Sequence, residues 1–501
     1  VSWRSGEGAR VYHEQTKHSP ISVRTLPHFL DWDNQPLPYK IYLSAGQTPL
    51  PDDVPYARRL DAGTLSRLLF HTAGITKHLR FPRGPMPFRA AACTGALYHI
   101  ESYVVTAEIE GLGAGVYHYD PRRHALDLLR RGDFRETLIE ATGGEPSASR
   151  AQAFLVLTTT YWRNAWKYRA RAYRHAFWDG GTMLANLFEL GEAADIPMKL
   201  LLGFADDRVH RLLGIQTDRE SAVAVVALFE GEGAPPVPSS TTLEPLDLST
   251  QLLSASEVDY PEIRQMQEAS SLASGAEARE WREEGPVPST KHGGYAPGLR
   301  PLGVAPPEPS PAEVEQVIRK RGSSRAFQKT AAIDAAALST ILQRATRGLR
   351  ADSLPEGTTL TDPYLILHDV AGVPSGAYAF HPRERGLELL REGSFRSNAR
   401  FLDLEQDLAA DAAANLYVLV DLDPVLARYG SRGYRIAQLE GGIIGGRVYL
   451  ASYALGLGAT GLTFFDDAVT DFFSPHAAGK SVLFLAAFGV PLTSRTVSFR
   501  A

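Results

Sequence analysis

The chain has 501 residues, 44% of them hydrophobic, which is enough for two to four packed units and too apolar for a disordered polypeptide. Its 52 Lys and Arg against 57 Asp and Glu leave a net charge of −5, so no general basic field exists to hold a nucleic-acid backbone or an anionic membrane. Cys93, the single cysteine, excludes an intramolecular disulfide and a multi-cysteine metal cluster; with no run of eighteen apolar residues and no apolar signal core in the first thirty, the expectation is a soluble, cytoplasmic protein without a bound metal.

In chain order, Asp61 to Gly74 has an Asp cap followed by helical apolar spacing, and so does Asp334 to Gly348. The β-branched and aromatic runs Ser102–Ile109, Phe154–Thr160, Ala222–Phe229, Tyr364–His368, Leu416–Leu422 and Ser481–Phe488 predict strands. Helices Asp179–Ala194 and Gly442–Leu455 fall between them, which predicts an α+β class. Residues 231 to about 310 begin with GEGAPPVPSS and end with GPVPSTKHGGYAPGLRPLGVAPPEPSP, the composition of a linker. The middle of that linker has spacing for a helix or two packed on the surface.

The order of elements repeats because the sequence does. Gly115–Arg135 (GVYHYDPRRHALDLLRRGDFR) and Gly376–Arg396 (GAYAFHPRERGLELLREGSFR) share 11 of 21 residues at a shift of 261, where unrelated chains would match at about one. The same shift aligns Tyr168, Arg171, Tyr173 and Arg174 with Tyr429, Arg432, Tyr434 and Arg435, Gly180-Gly181 with Gly441-Gly442, and Asp206 with Asp467. The expected division is 1–235, a linker at 236–308, and 309–501. Arginines and a tyrosine kept in both copies point to ion pairs and helix packing; Asp206 and Asp467 are expected to cap turns before short helices.

Chemistry concentrates where the copies differ. Lys320 to Phe327 (KRGSSRAF) puts two guanidiniums, two hydroxyls and a glycine on one turn after a helix, a composition that can wrap a phosphate. In copy one the corresponding residues are Thr48–Asp52 (TPLPD). Conversely, copy one has the small-residue loop Cys93-Thr94-Gly95-Ala96, and copy two has RADSLPEGTTLTD at 350–362. Each half has lost a different feature, which predicts one shared site built from both. Gly456–Gly461 fits GxGxxG but follows a helix and precedes a strand, the reverse of a dinucleotide fingerprint. His118 and His124 near Asp120 lack metal-ligand spacing, and Trp162, Trp166 and Trp178 are expected in the core.

KRGSSRAF resembles the flavin-phosphate motif of nitroreductase-fold flavoproteins, and ACTGALYHIESYVV resembles an element of their SagB-type dehydrogenase branch, as do YHEQTKHSP, SEVDYP and KYRARAYRHAFWDGG. The resemblance implies tandem FMN-binding domains forming an intramolecular pseudo-dimer. It implies that Arg321, Gly322, Ser323 and Arg325 hold the FMN phosphate, that Cys93, Thr94 and Gly95 approach the ring, and that Thr463, Phe464 and Arg495 are weaker flavin contacts. The departures are Cys93-Thr94 where Ser-Ala is usual and His99 where Pro is usual. Azoline-oxidising members carry a Lys-Tyr pair, here Lys167-Tyr168, with Arg428-Tyr429 in copy two. Removing a proton from carbon while a hydride passes to FMN requires a base, and either residue of the pair is a candidate. The implied activity is dehydrogenation of thiazoline or oxazoline rings on a ribosomal or carrier-bound peptide, within a biosynthetic complex. The alternatives are an NAD(P)H-dependent nitro or flavin reductase and a degenerate flavoprotein serving as a docking module.

Overall fold

A computed structural model describes residues 3–25, 28–52, 59–81, 84–231, 243–288, 298–303 and 307–492. The alternating and all-apolar runs pair into two sheets of the same design. In the first, β1 (Gly46–Pro49), β2 (Ile100–Thr106), β3 (Gly115–Asp120), β4 (Ala125–Arg131), β5 (Ala151–Thr160), β6 (Met198–Leu201) and β7 (Glu220–Glu230) stand in the order β1-β4-β3-β2-β5-β7-β6. In the second, β8 (Arg300–Pro301), β9 (Thr361–Leu367), β10 (Gly376–His381), β11 (Gly386–Glu392), β12 (Ala414–Val420), β13 (Gly458–Gly461) and β14 (Ser481–Gly489) stand in the order β8-β11-β10-β9-β12-β14-β13. Each label of the second order is seven above its counterpart. Register repeats as well: Ile100 faces Thr159, and Thr361 faces Val420, both displaced by 261.

Ten of the helices around these sheets carry the parts that position the site. They are α1 (Glu7–Gln15), α2 (Ala62–Ala73), α3 (Tyr161–Tyr168), α4 (Ala172–Ala193), α5 (Pro261–Ala269), α6 (Gly275–Glu283), α7 (Pro311–Lys320), α8 (Ala335–Ala345), α9 (Leu422–Tyr429) and α10 (Arg432–Ala454). The expected Asp cap is present on α2, where Asp61 accepts from Thr64 N–H at 2.7 Å, and is not made by the Asp334 side chain on α8. The two long helices α4 and α10 start earlier than their apolar spacing predicts, because their first turns carry buried arginines rather than a hydrophobic stripe.

The GG pairs mark where α4 and α10 cross. A Cβ on Gly442 would stand 2.5 Å from the Trp178 carbonyl oxygen, and one on Gly181 would stand 2.6 Å from the Gly442 carbonyl carbon. Only hydrogen fits, so backbone lies on backbone along the pseudo-twofold axis.

Charges are exchanged across the same axis. Arg432 and Arg435 of copy two reach Asp206 of copy one at 2.6 and 2.7 Å, and Arg171 and Arg174 of copy one reach Asp466 of copy two at 3.0 and 2.6 Å. The expected structural role of the repeated arginines is therefore realised as inter-copy ion pairs. The expectation for the aspartates is corrected: Asp206 is a buried ion-pair partner rather than a cap, and its equivalent is Asp466, one residue off the 261 register. Asp467 is exposed and pairs with Lys17 at 2.9 Å.

The linker helices are corrected too. Ile263, Met266, Ala278 and Trp281 are buried, so α5 and α6 are built into the core rather than laid on the surface. Moreover α5 repeats α1 at a shift of 254. Arg174 donates to the carbonyl of His13 and Arg435 to that of Gln267; Arg171 donates to that of Thr16 and Arg432 to that of Ser270. Asp466 accepts from His18 N–H at 2.8 Å, and Asp206 from Leu272 N–H at 3.0 Å. Each copy thus has an amino-terminal arm wrapped over an exchanged ion-pair cluster.

Two stability tests follow from the interface. Gly442→Val should destabilise the protein by at least the roughly 1–3 kcal/mol typical of overpacking, since backbone cannot yield, and Gly46→Val, where a Cβ meets nothing within 4 Å, should not. Equal denaturant midpoints for the two variants would contradict the crossing.

The second test concerns acid. The paired guanidiniums outweigh burial and hold Asp206 and Asp466 well below the usual carboxylate range. Carboxylates depressed in the folded state contribute stability that is present above the unfolded value of about 3.9 and lost as pH falls through the folded one. Asp466→Ala should cost about 3–5 kcal/mol at neutral pH by leaving two buried guanidiniums uncompensated, and should flatten the fall in denaturant midpoint between about pH 5 and pH 2 relative to the parent protein.

Candidate functional site

The small-residue loop enters from a β-hairpin, Ile75–Phe81 with Gly84–Arg89, and ends where β2 begins. It is tightly wound: Gly95, Ala96 and Tyr98 all have positive φ, at 63°, 54° and 51°. A single carboxylate on α4 holds this conformation. Asp179 accepts from Thr94 N–H at 3.0 Å, from Thr94 Oγ1 at 2.7 Å and from Cys93 Sγ at 3.1 Å, and its Oδ2 lies 2.8 Å from His99 Nε2. The two departures from the family pattern, Cys93 and His99, therefore meet on one side chain. The ligand-capable atoms of Cys93, His99 and Asp179 lie within 4.8 Å of one another, and these same hydrogen bonds occupy them. Burial, with Asp179 next, pushes the Cys93 thiol up, so it remains a protonated donor.

Asp179 was not visible as a site residue, although its repeat partner is also acidic. That partner, Glu440, is one methylene longer and accepts from Leu360 N–H, Thr361 N–H and Thr361 Oγ1 at the start of β9. In copy two the carboxylate thus fastens the strand itself, with no wound loop between. Burial raises its pKa to about 7.

Lys167 and Tyr168 end α3, a helix whose Trp162 and Trp166 pack with Leu97 as expected of core residues. Trp178 is also in the core, donating from Nε1 to Gln438 of copy two at 2.6 Å. The Tyr168 hydroxyl stands 2.8 Å from where a Cβ on Gly95 would be, so the glycine allows the pair to meet the loop. The Lys167 ammonium lies 5.3 Å from the centre of the Tyr168 ring. Their acidities move apart: burial and then Arg325 lower the Lys167 pKa, whereas burial, Asp179 and Cys93 push the Tyr168 hydroxyl well up. The pair therefore consists of a lysine eased toward its neutral form and a phenol kept protonated.

Arg325, which influences both, comes from copy two. It lies on the turn after α7, is exposed, and makes no hydrogen bond or ion pair among the described residues. Ser323 is exposed beside it, with Oγ 3.2 Å from the Tyr449 hydroxyl. Arg321 is buried and donates to the carbonyls of Ala90 at 2.8 Å and Arg89 at 3.0 Å, tethering the turn to the strand that feeds the copy-one loop. Lys77 donates to the Lys320 and Arg321 carbonyls from the other side. No carboxylate lies within ion-pair distance of Arg321 among the described residues, and burial lowers its pKa. A buried guanidinium beside two further cations and an exposed hydroxyl is a setting that favours an anion. The turn approaches β13 closely because Gly458, one of the GxGxxG glycines, has no side chain to meet Ser324.

The remaining expected contacts fare differently. Gly322 lies within the turn, below the Tyr453 hydroxyl. Thr463 Oγ1 lies 3.4 Å from His18 Nδ1 of the YHEQTKHSP motif. The Phe464 side chain is fully buried under Arg171 and against Trp178, so packing explains it and only its main chain could face a ligand. Arg495 lies outside the described residues. His118 sits between Glu101 and Asp127, and His124 between Ser66 and Tyr119, in networks that support the first sheet.

The Nitroreductase family model matches residues 57–231 and again 318–490. A candidate nitroreductase from Anabaena variabilis, solved at 1.80 Å, superposes with a TM-score of 0.80 and 27% identity over 97% of this chain and 99% of its own, so the tandem design is shared end to end. Two curated relatives are named as processing proteins: the trifolitoxin-processing protein TfxB of Rhizobium leguminosarum bv. trifolii, 28% identical over 192 residues, and the microcin B17-processing protein McbC of Escherichia coli, 25% identical over 143. These alignments cover 37% and 28% of this chain and about half of each relative, 50% and 52%. Two matches of one family model, on two sheets of one strand order, place the chain in the Nitroreductase family as a tandem, two-domain member.

Proposed function

We propose that the chain is an FMN-dependent oxidoreductase that dehydrogenates thiazoline or oxazoline rings in a peptide intermediate. The observation that carries this reading is the meeting of three features at one place: the copy-two turn, the copy-one loop, and a lysine of lowered pKa against a protonated tyrosine. The names of the trifolitoxin-processing and microcin B17-processing relatives support it.

The residues fit the cofactor. Arg325 and Ser323, both exposed, and the buried, carboxylate-free Arg321 would hold its phosphate, and Thr94 and Gly95 would lie against its ring. Bound FMN supplies the hydride acceptor. The chain's own part is to fix the loop through Asp179 and to take the proton leaving the ring carbon. Lys167 suits that task because burial disfavours its charge, whereas Tyr168 stays protonated and acts as a hydrogen-bond donor. Arg428, the copy-two equivalent, is a guanidinium and a poor base. The full-length likeness to a candidate nitroreductase favours a second reading, a general reductase fed by NAD(P)H.

One composite site predicts one FMN per chain, measured as flavin absorbance per mole of protein; two per chain after gentle purification would refute the composite. Arg325→Ala should weaken FMN binding by roughly 10- to 150-fold, the value of a charge-assisted hydrogen bond of about 1.5–3 kcal/mol, and leave the melting temperature of the apoprotein unchanged.

Lys167→Ala should keep the flavin and lower azoline oxidation by roughly 100-fold or more, the scale of a positioned base. The measurement is anaerobic flavin bleaching by a thiazoline peptide, with the product lighter by two hydrogens. Retained bleaching would remove Lys167 from the chemistry, and brisk NAD(P)H oxidation with no azoline turnover would favour the reductase.

A further inference from the structure

The Lys-Tyr pair and its copy-two equivalent have the same stacking, with the cation 5.3 Å from the Tyr168 ring centre in one and 4.3 Å from the Tyr429 ring centre in the other. Their polar groups meet opposite fates. In copy two, Tyr429 Oη donates to the main-chain carbonyl of Ser353 at 2.7 Å. Arg428 donates to the carbonyls of Trp281 at 2.9 Å, Arg282 at 2.8 Å and Gly285 at 3.1 Å, all on the arm around α6. Every one of these acceptors is an amide carbonyl of the chain itself.

In copy one no described residue fills those positions. Asp179 keeps the wound loop in place, so no loop carbonyl reaches Tyr168 Oη. The arm takes another course as well: His28 Nε2 lies 2.7 Å from the Trp166 carbonyl, and Trp166 Nε1 donates to the Asp31 carbonyl at 3.0 Å. Tyr168 Oη and Lys167 Nζ consequently have no hydrogen-bond partner among the described residues; Tyr168 is only partly buried, its hydroxyl still reaches solvent, and its surroundings keep it in the protonated, donating form. An accessible phenol kept as a donor beside the wound loop, at the place where its repeat equivalent meets a carbonyl, is set to donate to an acceptor that a ligand brings.

We infer that Tyr168 Oη receives a main-chain amide carbonyl of the substrate, in the place that the Ser353 carbonyl takes on Tyr429. This inference rests on the dehydrogenase reading and narrows it. The substrate is a peptide in which an amide flanks the azoline ring, and Tyr168 is a specificity residue that orients the ring for Lys167.

The test is direct binding to the full FMN-loaded chain, followed by tryptophan fluorescence, with no turnover required. One probe is a thiazole flanked on both sides by peptide amides, and the other is 2,4-dimethylthiazole, which has no amide. Tyr168→Phe should bind the flanked thiazole about tenfold more weakly, the loss of one hydrogen bond, and bind dimethylthiazole as the parent does. Unchanged affinity of Tyr168→Phe for the flanked thiazole, or equal weakening for both probes, would overturn the inference, as would failure of the parent protein to bind the flanked thiazole. Failure of the parent to oxidise thiazoline peptides would instead count against the dehydrogenase reading and leave this affinity pattern standing.

Discussion

Contact between two helix backbones at Gly181 and Gly442 fixes the spacing of everything around it. With α4 and α10 this close, the arginines on their first turns come to lie beyond their own copy's acid and reach the acid of the other. A buried carboxylate between two guanidiniums is stable only while all three stay together, because removing any one leaves an uncompensated charge in a low-dielectric interior. The copies therefore depend on each other for electrical neutrality as well as for packing. The arms α1 and α5 close both clusters with main-chain groups, and so become part of the interface.

The same crossing delivers the functional groups. α4 carries Asp179 to the wound loop, and α10 carries Glu440 to the start of β9. One methylene separates the two acids, and with it the choice between holding a loop and holding a strand. Copy two also anchors its tyrosine and its cation on its own carbonyls. Its half of the pseudo-symmetric arrangement is thus filled by the protein, and the half that joins the copy-one loop to the copy-two turn is left with exposed Ser323 and Arg325.

Much of this was legible in the sequence. The shift of 261, the α+β class, the repeated arginines and the complementary losses at 93–96 and 321–325 all appear as side-chain identities. What escaped was carried by the main chain or by small offsets. The repeat of α1 in α5 keeps Glu14 as Glu268, but most of its neighbours change, because its contacts to the arginines run through carbonyls that any residue can offer. The linker composition therefore concealed an arm of the fold. Asp466 was missed for Asp467 because a one-residue offset follows the aligned arginines. Asp179 was missed because the loop it holds exists in one copy only, so the repeat gave no matching partner for its contacts.

Because both contributors to the cleft belong to one polypeptide, the site is assembled intramolecularly. A cleft shared between separate subunits empties when the protein is diluted below its dissociation constant, since half of its wall departs. Here the two walls are covalently one chain and are locked together by the helix crossing and the exchanged ion pairs, so dilution cannot part them. The affinity of the cleft for whatever it binds is therefore a property of the chain, independent of how much of the protein a cell contains.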